Sequence, residues 1–246
     1  MYKRQVLDDK LPQVSWICAT KAGSEHPSPS SPAQGADYTA HVLDALTANP
    51  DVWSKTVLLL MFDENDGFFD HMPPPAPPTR RADGTLAGAS TVDTVGEYHE
   101  IVTGVEKDDT AAHLHGTYGL GPRVPMYVLS PWTKGGWVNS EVFDHTSVLR
   151  FVERRFGVAE TNISPWRRAI CGDLTSIFDF ATPDDADRLR GLPATADRAA
   201  QAAALPGTIT PPAPDKPGLA RQQAGTRPSR ALPYALSMQV RADGDG

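Results

Sequence analysis

Three acidic side chains and an amide directly follow the longest apolar run of the chain, residues 57–62. They are Asp63, Glu64, Asn65 and Asp66. Acids packed this closely repel one another unless a cation or hydrogen-bond donors hold them, and oxygen donors suit a hard or borderline metal ion. We therefore interpret Asp63 and Glu64 as ligands of a divalent metal ion, and assign Asp66, Asp70 and His71 to the same cluster.

A helix N-terminus is the alternative explanation for these acids, because acidic groups there complement the helix dipole. That explanation accounts for one or two of the acids. It is disfavoured by residues 68–75, two phenylalanines, Asp70, His71, a methionine and three prolines, which are not typical of a helix start.

Histidines in other loops are further candidates. His26 lies between Glu25 and Pro27, and His145 follows Asp144, an acid that could orient the imidazole or simply cap the next helix. A lone loop histidine is more often just solvated. His113 and His115 would face one side of an extended segment, which suits zinc, but two ligands do not make a site. His99, between Glu97 and Glu100, is predicted to lie in a solvated charged loop. Acids at one strand end with histidines in two other loops indicate metal-dependent phosphoryl or sulfuryl transfer.

The elements that must position these groups belong to an α/β fold. Residues 57–62 predict a strand buried on both faces, typical of a parallel sheet covered by helices, and ligands bind beyond the carboxyl ends of such strands. Residues 14–18 predict another strand. Between the two, Ser31 and Pro32 predict a helix start, and the inner face comprises Tyr38, Val42, Ala45 and Leu46. This strand–helix–strand unit predicts parallel pairing.

The second half of the chain is predicted to contain a long excursion at 73–122, a strand at 124–130 and a helix after Asp144 that ends at Gly157. The inner face of this helix is Val148, Leu149, Val152 and Phe156. A short helix is expected at 173–180. Residues 1–180 then form the catalytic portion, and residues 181–246 form a Pro/Ala-rich tail that is extended or disordered.

Composition excludes several classes of protein. The 246 residues carry a formal charge of -7 with a pI near 5.4, which argues against a nucleic-acid partner. No apolar run approaches the length of a transmembrane helix, and the first ten residues contain no export-signal core. Cys18 and Cys171 could form a disulfide or remain two buried thiols.

Several motifs resemble the bacterial phospholipase C and acid phosphatase family of phosphoesterases, within the alkaline-phosphatase-like superfamily. The similarity is strongest to the mycobacterial phospholipases C. It rests on Ser24-Glu25-His26-Pro27 and on residues 62–75, 118–126, 130–132 and 143–153. It covers roughly residues 10–180, and the tail also resembles the end of these phospholipases.

The resemblance implies a mainly parallel, alkaline-phosphatase-like sheet flanked by helices. It implies that Asp63 and Glu64 bind a divalent metal and that His26 and His145 face the phosphate, and we predict that Asp66 and His71 are also catalytic. The reaction it implies is cleavage of a phosphatidylcholine-like lipid at a membrane surface into diacylglycerol and a phosphorylated head group. A metal-activated Thr or Ser would attack the phosphorus in line. Secretion, or a place at the cell wall or cell surface as in virulence-associated family members, is likewise implied only by the resemblance.

The chain departs from the family by lacking the Glu-Asn-x-Ser-Phe-Asp-type motif and the Thr or Ser nucleophile that follows it. Thr20, Thr39 and Thr117 do not stand in that motif. We therefore expect a carboxyl-terminal part of the catalytic domain, with a sheet incomplete at its N-terminal side. The alternative is a catalytically silent remnant with at most a binding role, and a sulfatase or phosphomutase is a weaker third hypothesis.

Overall fold

A computed structural model describes residues 2–65, 67, 73–100, 114–133, 135–184, 193–207, 212–213 and 228–231. The helices are α1 Tyr2–Leu7, α2 Pro32–Leu46, α3 Pro50–Trp53, α4 His145–Phe156, α5 Pro165–Ile170 and α6 Ala196–Ala203, with a 3-10 helix at Thr175–Ile177. The strands are β1 Leu58–Met61, β2 Thr79–Arg80, β3 Leu86–Ala87 and β4 Met126–Leu129. Within these residues, no helix is long and apolar enough to cross a membrane.

Helix α2 begins and packs as the sequence predicts. The Ser31 side chain accepts a hydrogen bond from Gln34 N, and Pro32 occupies the first turn. Val42, Ala45 and Leu46 are buried, and Tyr38 packs against the core that Val6, Val42, Leu46 and Val52 form. Helices α1 and α3, which supply Val6 and Val52 to this core, were not predicted.

Helix α6 packs against α2, and Thr195 Oγ1 donates a 2.6 Å hydrogen bond to Asp37 Oδ1. This part of the Pro/Ala-rich tail is therefore helical rather than extended, and Ala199 is buried. The division of the chain at residue 180 stays a prediction.

The predicted strand at 14–18 is wrong. These residues have no regular secondary structure, and Trp16 and Ile17 are 70% and 38% exposed. A strand persists only when a neighbour accepts and donates its backbone hydrogen bonds. The sheets of the described residues join only β1 with β4 and β2 with β3, so the predicted strand–helix–strand unit is not formed there.

Strands β1 and β4 form a two-stranded sheet, and Phe62 N donates to Pro125 O at 3.3 Å just beyond it. Both strands were predicted, one or two residues longer at each end. The expectation that β1 is buried on both faces is wrong: Leu58 to Leu60 are half-buried and Met61 is exposed. A strand with one hydrogen-bonded neighbour has less cover than a central one. A larger, mainly parallel sheet is not confirmed.

The excursion predicted at 73–122 contains structure of its own. Strands β2 and β3 form an antiparallel hairpin in which Thr79 faces Ala87. Its turn is held by Asp83 Oδ1, which accepts hydrogen bonds from the backbone and hydroxyl of Thr85. Further along, Tyr98 and Thr117 form an isolated antiparallel bridge, which brings the middle of this long segment beside a residue near its end.

Helix α4 confirms the predicted cap residues. Asp144 is the N-cap, in a capping box with Ser147, and Gly157 ends the helix with a φ of 68°. Val148 is buried as expected, whereas Leu149 is 38% exposed and was wrongly placed on the inner face. The helix predicted at 173–180 is a single 3-10 turn. Helix α5, with Trp166 buried, was not predicted.

The chain divides into two compact units. The first contains Met1–Leu58, Leu129–Trp132 and Thr182–Arg221. The second contains Leu59–Val128, Thr133–Ala181 and Gln222–Gly246. His26 therefore belongs to the first unit, and Asp63, Glu64 and His145 belong to the second.

Candidate functional site

The second unit brings His145 to the end of β1. Its Nε2 lies 2.9 Å from the backbone carbonyl oxygen of Phe62, the residue directly before Asp63. A carbonyl oxygen can only accept, so Nε2 carries the proton and donates it. His145 and Asp63, two of the predicted site residues, are thus linked through the Phe62 carbonyl, which lies 83 positions from His145 in sequence.

This bond defines what the His145 ring can do. With the proton on Nε2, the neutral ring presents Nδ1 as an acceptor. The ring donates to a phosphoryl oxygen only when Nδ1 is also protonated. His145 is exposed at the first position of α4, so the ring remains accessible to a substrate and to water.

Asp63 and Glu64 are both exposed, in the bend that follows β1. Their carboxylates are donors of the type that a hard divalent cation prefers. Among the described residues, however, no group of three or more His, Cys, Asp or Glu side chains could hold a metal ion. The described side chains therefore fit part of a metal shell and do not complete one. Asp66, Asp70 and His71 lie outside the described residues.

His26 lies in an exposed loop of the first unit. Its Nδ1 lies 3.0 Å from Ser28 O and 3.3 Å from Ser28 N, so the neighbouring backbone orients the ring. Nε2 is then the nitrogen that can reach a ligand. The hydrogen bonds around Ser30, whose hydroxyl contacts Glu25 N and Ala22 O, hold the same loop.

Only one histidine of the pair suggested for zinc lies within the described residues. His113 lies outside the described residues, and His115 has a φ of 68°, which is not the extended backbone that the prediction required.

A buried ion cluster lies behind His145. Arg167 Nε donates to Glu97 Oε1 at 2.9 Å, Nη1 donates to Asp144 Oδ2 at 2.7 Å, and Nη2 donates to Gly119 O at 2.7 Å. Ser164 Oγ also donates to Glu97 Oε1, at 2.5 Å. Each of the three nitrogens of the planar guanidinium thus donates to an acceptor, the geometry for which arginine is suited.

Burial and the two neighbouring carboxylates have opposite effects on the pKa of Arg167. Burial lowers the pKa of Arg167, but the hydrogen bond to Asp144 and the charges of Glu97 and Asp144 outweigh it and raise the pKa. Glu97 is 1% exposed, and its Oε2 is buried without a hydrogen-bond partner. Two carboxylates thus surround one guanidinium, so removal of the arginine would leave two buried negative charges uncompensated.

The sequence did not indicate this cluster, and Glu97 was expected to lie in a solvated loop. The Ser164-Pro165 pair is the same cap signature that marked α2, and it could have identified α5 and its arginines. Nothing local marks Glu97 as the partner, since it lies 70 residues from Arg167.

A cavity of about 440 Å³ opens beside the cluster. Its lining includes Glu97, Thr146, Glu160, Ser164 and Arg167. The cavity therefore runs between the start of α4 and the start of α5.

The two cysteines are free thiols. Cys18 is exposed and Cys171 is buried, so the alternatives left open by the sequence resolve to no disulfide. Burial first, and then the charge of Asp144, raises the pKa of Cys171 to about 12. Cys171 is accordingly a neutral thiol at physiological pH and not a nucleophile.

Comparison with known proteins identifies the family to which the chain is similar. The model of the Phosphoesterase family matches residues 1–159, more than half of the chain. Among similar proteins, a non-hemolytic phospholipase C of Pseudomonas aeruginosa is 57% identical over 97% of this chain and 33% of its own length.

Two further relatives are also named as phospholipases C. A hemolytic phospholipase C of Pseudomonas aeruginosa is 46% identical over 98% of the chain and 32% of its own length. Phospholipase C B of Mycobacterium tuberculosis is 36% identical over 96% of the chain and 44% of its own length. The chain therefore spans about a third to less than half of the length of these relatives.

Proposed function

The chain belongs to the Phosphoesterase family. We propose that it acts as a phospholipase C-type phosphodiesterase. The substrate would be a phosphatidylcholine-like lipid presented at a membrane surface, and the products would be diacylglycerol and a phosphorylated head group. The names of the relatives supply the reaction class. Secretion or a cell-surface location belongs to the same proposal.

The observation that carries the proposal into this chain is the arrangement at the end of β1. Two adjacent exposed carboxylates, Asp63 and Glu64, follow Phe62, whose carbonyl oxygen is held by His145. Hydrolysis of a phosphodiester requires cationic stabilisation of the negative charge that builds up on the phosphoryl oxygens. A divalent metal ion held in part by Asp63 and Glu64 would supply that stabilisation.

The roles of the chain's own residues follow from their geometry. His145 would fix the position of the Phe62 carbonyl and present its ring beside the carboxylates. His26, oriented by the Ser28 backbone through Nδ1, would use Nε2 to bind a phosphoryl oxygen or protonate the leaving group. Asp66 and His71 are proposed to act in the same cluster.

The test is hydrolysis of a chromogenic phosphocholine diester by the purified chain, with and without added divalent metal. Asp63→Ala is the test variant, and Asp44→Ala, the same change at an exposed acid on α2, is the matched control. Metal-dependent turnover that is lost in Asp63→Ala and kept in Asp44→Ala would support the proposal. A cooperatively folded wild type without turnover would contradict it and favour the silent remnant.

A further inference from the structure

We propose that Arg167 is a positioning residue for the candidate site, which holds Asp144 and thereby keeps His145 on the Phe62 carbonyl. This inference rests on the proposed function for its biological meaning, and its structural content can be tested without substrate or metal. It concerns a residue on α5 whose guanidinium hydrogen bonds go to Glu97, Asp144 and Gly119.

The two carboxylate oxygens of Asp144 accept hydrogen bonds from different residues. Its Oδ2 accepts from Arg167 Nη1 at 2.7 Å. Its Oδ1 accepts from the backbone N of Thr146 at 2.9 Å and from the Thr146 hydroxyl at 2.6 Å. One carboxylate oxygen therefore fixes the guanidinium while the other caps α4, so the orientation of the cap depends on both.

The position of His145 depends on the Asp144 cap. This histidine is the first residue of α4, directly after the cap. The backbone of Asp144 is held as well, because its N donates to Ser147 Oγ at 3.1 Å and Ser147 is fully buried. A shift of Asp144 would therefore move the Cα of His145, and the 2.9 Å contact of Nε2 with Phe62 O would lengthen.

Arg167 is itself held by two segments other than α4. Its Nε donates to Glu97, which is only 1% exposed. Its Nη2 donates to the backbone carbonyl oxygen of Gly119. The guanidinium is thus fixed by two segments before it reaches Asp144. Charge-assisted bonds of this kind fix geometry more firmly than neutral ones, which suits a positioning role.

The neighbouring Arg168 offers a matched control. It lies on the same helix and is also paired, with Glu153 at 2.7 and 2.9 Å. Glu153 lies on α4 as well, about two turns beyond His145. Loss of Arg168 therefore removes an ion pair between the same two helices without touching the cap.

The experiment is nitrogen-15 NMR of the imidazole rings in the full chain, with the His145 signals assigned by their loss in His145→Gln. In the wild type we expect the tautomer with the proton on Nε2, and the hydrogen bond to Phe62 O should slow the exchange of that proton with water. In Arg167→Met we expect mixed tautomers and proton exchange faster by about tenfold, the factor associated with one lost charge-assisted hydrogen bond. In Arg168→Met we expect the wild-type pattern.

Two results would overturn the proposal: an unchanged His145 ring in Arg167→Met, or an equal change in Arg168→Met, which would mean that any lost ion pair loosens α4. Should Arg167→Met not fold, Arg167→Lys keeps the charge but not the planar fork, and the same comparison applies with Arg168→Lys. Since the readout needs no metal or substrate, an inactive chain with the expected NMR pattern would refute the proposed function alone.

Discussion

Nε2 of His145 lies 2.9 Å from the carbonyl oxygen of Phe62. This hydrogen bond joins the first residue of α4 to the residue that follows β1 and precedes the two carboxylates of the candidate site. The helix cap at Asp144, the ion cluster around Arg167 and the strand end therefore form one continuous set of contacts.

The bond predicts a graded effect of substitution at His145. His145→Phe removes the donor, so the strand end loses its partner, whereas the amide of His145→Gln can still donate. We expect turnover to fall about 10- to 100-fold in His145→Phe, the range for lost outer-shell partners of metal ligands, and less in His145→Gln. The measurement is kcat with the chromogenic diester, beside the control His41→Phe on the exposed face of α2. Equal kcat in His145→Phe and wild type would contradict this role.

The buried cluster predicts a large stability effect at Glu97. Glu97→Gln leaves Arg167 paired with Asp144 but removes the charge that accepts from Arg167 Nε and Ser164 Oγ, and a hydrogen bond to a charged group contributes about 1.5–3 kcal/mol of unfolding free energy. Glu100→Gln breaks an exposed pair with Arg80, 2.8 Å long, and such pairs contribute about 1 kcal/mol or less. Urea unfolding of both variants measures the contrast. Similar losses in the two would show that Glu97 is not held as described.

The pair between Glu153 and Arg168 predicts a pH dependence. The hydrogen bond from Arg168, followed by that from Glu160 N, lowers the pKa of Glu153 from 4.5 to about 2. A lowered folded-state pKa adds stability above pH 4.5, and this contribution is lost as the pH falls from 4.5 towards 2. We expect the Tm difference between wild type and Glu153→Gln to be greatest near pH 6 and to vanish over that interval. A difference that is constant with pH would contradict the lowered pKa.

Cysteine reactivity provides a test of burial. Cys171 is buried, and its pKa is raised to about 12, so its thiolate is scarce at pH 8. We expect iodoacetamide to alkylate the exposed Cys18 in the folded chain and to reach Cys171 only in denaturant. Peptide mass spectrometry measures the extent of alkylation at Cys18 and at Cys171. Equal alkylation of both under native conditions would be inconsistent with the packing around Cys171.

Local signals in the sequence predicted local structure well. Ser31, Asp144 and Gly157 were assigned as helix boundaries, and each acts as the expected cap. Capping depends on residues within a few positions, so a single sequence contains the information. The same holds for the strands near 58 and 126, which long apolar runs indicate.

Relationships between distant segments were not predictable in the same way. The apolar pattern at 14–18 suggested a strand, but a strand also needs a partner, and the pattern does not supply one. Glu97 was assigned to a solvated loop because its environment comes from Arg167 and Ser164, about 70 positions away. Asp63, Glu64 and His145 were predicted as site residues, and this stays a prediction, whereas nothing in the sequence indicated the backbone link through Phe62.

The most direct test of the central claim is divalent-metal binding at the end of β1. Titration calorimetry with Mn²⁺ or Zn²⁺ would compare the purified wild-type chain with Asp63→Asn and Glu64→Gln, and with Asp44→Asn as the control. We predict binding by the wild type and the control, and a loss of about tenfold or more in affinity in each site variant, because metal affinity depends on every ligand of the shell. Equal affinity in all four proteins would contradict the assignment of Asp63 and Glu64 as metal ligands.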